Sequence, residues 1–105
     1  MSEPHAHRGA VALVTIVAEA VVEQRLVRDL RAAGAHGWTI TAARGEGPRT
    51  RRVGDLEGGN VRIETLVSHA VADAIMARLA ADWFPSYAVV AWVADVEVAR
   101  EDRYL

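Results

Sequence analysis

The sequence predicts an α+β domain of ferredoxin-like βαββαβ order, an antiparallel sheet with both helices on one face. Stretches of two-residue apolar period alternate with stretches of helical period along the chain. The chain also divides into two halves of one type, each strand, helix, strand. Two helices cover one face of such a sheet, yet the first and last strands are apolar on both sides. The uncovered face therefore predicts self-association as a dimer or trimer.

Each element has its own signal. "VALVTIVA" (residues 11–18) is β-branched and apolar on both faces, the pattern of a buried strand. "EAVVEQRLVRDLRAAG" carries Val22, Leu26 and Leu30 at i+4 spacing with Val27 and Ala33 beside them. Glu19 and Glu23 come early, Arg25, Arg28 and Arg31 late, and Gly34 closes it, as a helix dipole and cap favour. "WTITAA" (38–43) alternates Trp38, Ile40 and Ala42 against Thr39, Thr41 and Ala43. "NVRIETLVS" alternates again, Val61, Ile63 and Thr65 opposite Arg62, Glu64 and Leu66. Ser68 is the predicted N-cap of a second helix, with Val71, Ala72, Ile75, Met76, Leu79 and Trp83 on one stripe and Pro85 ending it. "YAVVAWVADVEV" (87–98) is the last strand, with Asp95 and Glu97 outward.

Composition narrows the function class. The 105 residues, 51% of them hydrophobic, suffice for one core. A formal charge of −2 argues against a general nucleic-acid binder. The absence of cysteine excludes disulfides and thiolate metal sites, and fits a reducing compartment. "MSEPHAHRGA" has no apolar signal core, and no apolar run reaches the roughly 18 residues of a membrane span. All 12 Lys+Arg positions are Arg, so every basic group is a permanently charged fork.

Most candidate chemistry reads as structure. His5 and His7 form an H-x-H pair without an evident third ligand. His36 reads as a solvated turn residue, and His69 as a surface residue opening the second helix. No nucleophile-base grouping is evident, and Asp95 with Glu97 looks like a solvated edge, so the chain reads as non-enzymatic. Trp38, Trp83 and Trp92 read as core or subunit-interface residues.

The exception is "RGEGPRTRRVGDLEGGN" (44–60), which holds five of the eight glycines and four of the 12 arginines. Its G-x-G follows a strand directly, where backbone N–H groups approach an anion unobstructed. Arg49, Arg51 and Arg52 follow at once, forks suited to phosphate or carboxylate. Composition leaves two readings open, an anion site or a soluble hairpin tip. At 17 residues the connection is long for a hairpin.

On these motifs the chain resembles the PII signalling superfamily. "GAHGWTITAARGEG" is similar to the family's G-x-x-G-x-T-V-T-x-x-x-G-x-G, "NVRIETLV" to its K-V-K-I-E-I-V-V, and "VEVAR" to the end of its fourth strand. The resemblance implies a homotrimer with an adenine-nucleotide cleft between neighbouring subunits. It implies a flexible N-terminus over 1–10 and one PII-like domain over 11–105, with the target-docking T-loop at about 44–60. By position, Thr39, Thr41, Glu64, Thr65 and Leu66 belong to the nucleotide site. Gly45 and Gly47 fall beneath the phosphates, with Arg100 reaching them.

The departures from the family pattern redirect the expectation. Where the nitrogen-regulatory members carry Gln after the G-x-G, this chain has Arg49, and its loop has no Tyr. "DWFPSYAV" replaces the glycine- and lysine-rich loop that grips the outer phosphates of ATP. These changes argue against 2-oxoglutarate sensing, uridylylation and tight ATP binding. "FPSYAV" and "GPRTRR" instead look like the PII-like branch tied to inorganic carbon, which adds Tyr87 to the nucleotide set. In that branch Arg49 and Arg52 match two arginines that meet the nucleotide phosphate, and the three loop arginines would hold bicarbonate or phosphate. The terminal "REDRYL" without Cys favours the carboxysome-type members.

The expectation is a cytoplasmic sensor of ADP or AMP with bicarbonate as co-ligand, holding no permanent cofactor and no metal. Its partners would be its own copies and a target protein, a bicarbonate transporter or a carboxysome component, with location at the carboxysome or the membrane periphery. Two alternatives stand beside it: a cyclic-AMP-responsive regulator of a membrane bicarbonate transporter, and a trimeric divalent-cation-tolerance-like module without nucleotide sensing.

Overall fold

The β-branched run read as the first strand lies at the centre of the sheet. In the structure, a computed structural model that describes residues 9–45, 59–100 and 103, this strand is β1 (Gly9–Glu19). His5, His7, Gly47, Arg49, Arg51 and Arg52 lie outside the described residues. The remaining elements are α1 (Glu23–Ala33), β2 (Thr39–Ala43), β3 (Asn60–Val67), α2 (His69–Asp82) and β4 (Val90–Val98). The sheet order is β2-β3-β1-β4, with every neighbouring pair antiparallel. This is the βαββαβ arrangement the periodicities predict.

Register decides which side chains meet. Ala12, Val14, Ile16 and Ala18 lie opposite Val67, Thr65, Ile63 and Val61. All eight are buried, against Leu26 and Leu30 of α1 and Ala72, Ile75 and Leu79 of α2. The other face carries Leu13, Thr15 and Val17 of β1 beside Ala94, Trp92 and Val90 of β4. Trp92 is 44% exposed there, while Thr15 is fully buried with its hydroxyl unpartnered among the described residues. An orphaned buried hydroxyl costs about 1–3 kcal/mol.

Three boundaries differ from the sequence reading. The first helix does not begin at Glu19, which ends β1. A 3-10 turn (Ala20–Val22) intervenes, anchored by the Ala20 N–H donating to the Gly59 carbonyl at 3.0 Å. Trp38 precedes β2 rather than opening it. Tyr87 lies outside the last strand, because the N–H groups of Ser86 and Tyr87 donate to the Trp83 carbonyl in a turn rather than to a ladder.

One end of each helix follows its capping chemistry. The Ser68 hydroxyl accepts from the Val71 N–H at 3.2 Å. Gly34 terminates α1 at φ +120°, its N–H donating to the Leu30 and Arg31 carbonyls. A Cβ at Gly34 would lie 3.1 Å from Val71 Cγ2. Gly34→Ala is therefore expected to destabilise the fold by about 1–2 kcal/mol through backbone strain and the clash, measured by urea unfolding.

Candidate functional site

The ladder between β2 and β3 ends at the pair Thr39 and Glu64, because β2 is short. Beyond it, the edge of β3 from Thr65 onward faces the turn between α1 and β2 instead of a strand. The space between them is a groove of about 670 Å³. The turn supplies Gly34, His36, Gly37 and Trp38, and β3 supplies Glu64 to Val67. Leu13 and Val96 reach it from the uncovered face of the sheet, and Arg103, beyond β4, lines it too.

Side-chain contacts hold both walls. The Thr65 hydroxyl donates to the Gly37 carbonyl at 2.6 Å. Arg31 lies over the Trp38 ring at 5.0 Å, capping the turn from the helix side. On the sheet, Arg62 Nη2 is 3.5 Å from Glu64 Oε2, and the same guanidinium lies 5.7 Å from the centroid of Trp92. The groove's charged groups are thus an acid, Glu64, and a base, Arg103, with His36 at its margin. Its floor is aliphatic. Such a lining suits a flat, partly apolar ligand with polar edges.

Four of the expected nucleotide residues, Thr39, Glu64, Thr65 and Leu66, line this groove together. Thr41 points to the same sheet face as Thr39, further along β2, while exposed Gly45 lies two residues beyond the strand. Arg100 is exposed two residues past β4 and does not line the groove, whereas Arg103 does. Tyr87 stands elsewhere, its ring 4.7 Å from that of Trp83 with Arg25 over both. The Trp83 indole N–H in turn donates to Asp29 Oδ2 at 2.8 Å. These four residues tie α1 to the chain leaving α2.

Sequence reasoning missed several lining residues. His36, read as merely solvated, is exposed yet borders the groove. Gly37 and Trp38 sit inside the quoted "GAHGW" stretch, so the motif held the signal, but nothing in the spacing placed them opposite β3. Asp95, read as part of a lone solvated edge, has a partner: His69 Nε2 lies 2.7 Å from its Oδ1, joining α2 to β4.

Comparison with known proteins places these features. The family model described as "Nitrogen regulatory protein P-II" matches residues 11–103. A protein of Thermus thermophilus described as PII-like signaling shares 48% sequence identity, covering 93% of this chain and 98% of that one, with a TM-score of 0.81. Structures of CPII from Thiomonas intermedia K12 share the fold at low identity. The form bound to ADP and bicarbonate is 18% identical with a TM-score of 0.81, covering 93% of this chain and 97% of that one. The form bound to ADP, AMP and bicarbonate is 20% identical with a TM-score of 0.82, covering 92% and 95%. No curated protein matches the chain.

Gly37 offers a direct test of the groove. Its φ is not positive, and nothing lies within 4 Å of a Cβ built there. Gly37→Leu is expected to leave Tm within a few degrees in thermal unfolding, because the added side chain enters the open groove rather than the core.

Proposed function

This chain belongs to the family of nitrogen regulatory protein P-II, and from that premise we propose that it is a trimeric sensor of ADP and AMP acting in inorganic-carbon metabolism. The observation that carries the proposal is the groove itself. The family resemblance selects Thr39, Glu64, Thr65 and Leu66 by sequence position alone, and the four line one cavity between β3 and the α1–β2 turn. Its size and mixed lining suit an adenosine.

The trimer accounts for a feature of the isolated subunit. Val90 and Trp92 stand exposed on the helix-free face. A neighbouring copy on this face would cover these apolar side chains. It would also close the open side of the groove, where Leu13, Val96 and Arg103 lie.

The phosphate side of the proposal falls to the loop. Arg49 and Arg52 would hold the α- and β-phosphates, and Gly45 and Gly47 would let them approach the backbone. "DWFPSYAV" supplies no glycine and no basic residue for a third phosphate, so ADP and AMP bind in preference to ATP. Bicarbonate, the ligand bound with ADP in CPII, would lie against Arg51 and its neighbours as a planar anion. Ligand held by the loop then alters what the loop can dock on, a bicarbonate transporter or a carboxysome component, at the membrane periphery or the shell.

Calorimetry with ADP, AMP, cyclic AMP and ATP, each with and without bicarbonate, tests this reading. ADP and AMP are expected to bind more tightly than ATP, with bicarbonate strengthening them, and the Arg49, Arg51 and Arg52→Ala variant is expected to lose most of that affinity. Absence of binding by every nucleotide at millimolar concentration would sink the proposal. Light scattering tests the assembly: wild type should be trimeric, and Trp92→Asp, which places a charge on the uncovered face, should shift it toward monomer.

A further inference from the structure

We infer that Thr65 is a positioning residue that sets the groove by holding the α1–β2 turn against β3, rather than a ligand contact. The inference rests on the adenine-nucleotide reading for its ligand, while its structural half stands on the free protein.

The strand ladder explains why a tether is needed at this point. Regular pairing between β2 and β3 starts at Thr39 and Glu64, so the turn ahead of β2 has no ladder to hold it. At its other end, the Ala35 N–H donates to the Leu30 carbonyl at 3.0 Å, which fixes the chain to the end of α1. Between these points lie His36, Gly37 and Trp38, the residues that form one wall of the groove. The Thr65 hydroxyl reaches across and donates to Gly37 at 2.6 Å, a short bond between residues 28 apart in sequence.

The geometry separates this role from ligand contact. Thr65 lies opposite Val14, on the helix-covered side of the sheet, and is 2% exposed. The one proton of the hydroxyl is taken by the Gly37 carbonyl, and burial of the side chain keeps its oxygen lone pairs from a ligand. The neighbouring Glu64 and Leu66, both half-buried, alternate to the other side of β3.

Thr65→Val keeps the shape and removes the hydroxyl, Thr65→Ser keeps the hydroxyl, and Thr65→Ala is a second hydroxyl-free variant should Val fail to fold. Amide hydrogen exchange on the free proteins is expected to be about fivefold faster at Trp38 and Thr39 in Val or Ala, and unchanged in Ser. Calorimetry with ADP should show about fivefold weaker binding for Val or Ala, with Ser within twofold of wild type. Lost affinity with unchanged exchange in the turn would overturn the inference, because the hydroxyl would then touch the ligand itself. Unchanged exchange with unchanged affinity would overturn it as well, and so would failure of Ser to restore both. If wild type binds no nucleotide, the functional reading fails, and the exchange data alone decide whether Thr65 holds the turn.

Discussion

Burial of β1 on both faces is the constraint from which the rest of this structure follows. The strand sits between β3 and β4, and its even-numbered residues from Ala12 to Ala18 disappear beneath the two helices. Its odd-numbered residues include Val11 and Thr15, which are as fully buried although no described helix lies over them. Removing apolar surface from water contributes roughly 25 cal/mol per Å², so a strand apolar on both sides is stable only when both are covered. One layer of two helices covers one side. The other side ends in exposed Val90 and Trp92, and a sheet in that condition selects for association.

The same geometry makes the groove. Because β2 is shorter than β3, the sheet edge is left unfilled where α1 delivers the chain back towards it. The turn from Gly34 to Gly37 occupies the gap without closing it. The resulting cavity touches both the edge of β3 and the helix-free face through Leu13 and Val96. Its occupancy and the covering of that face are consequently linked in space. Arg62 spans the two, meeting Glu64 in the groove and Trp92 on the face. At 3.5 Å and half exposed, the ion pair itself contributes little to stability. Its consequence is orientation of the carboxylate.

Much of the fold was legible in the chain because periodicity is local. Alternation in residues 60–67 matches the observed burial almost residue by residue, and the Ser68 cap and the Ile75–Leu79 stripe need only neighbours on the same helix. What could not be read were contacts between elements. Asp95 looked solitary because His69 is 26 residues away, and Tyr87 looked like part of a strand because its turn bonds depend on the Trp83 carbonyl. The candidate site divides along the same line: Thr39, Glu64 and Leu66 were reached through motif resemblance, whereas His36, Trp38 and Arg103 enter it only through the folding of separate segments.

By itself the sequence determined the order of strands and helices, the two-sided apolarity of the first strand and the charge and glycine content of the long loop. Each of these is set by side-chain chemistry within a few residues, where steric and solvation preferences act directly. Only the tertiary structure decided that a turn fills the space beyond β2, and that a threonine hydroxyl 28 residues away secures it. Those outcomes depend on strand register, and register is settled by which buried faces meet, a property of the assembled sheet rather than of any one segment.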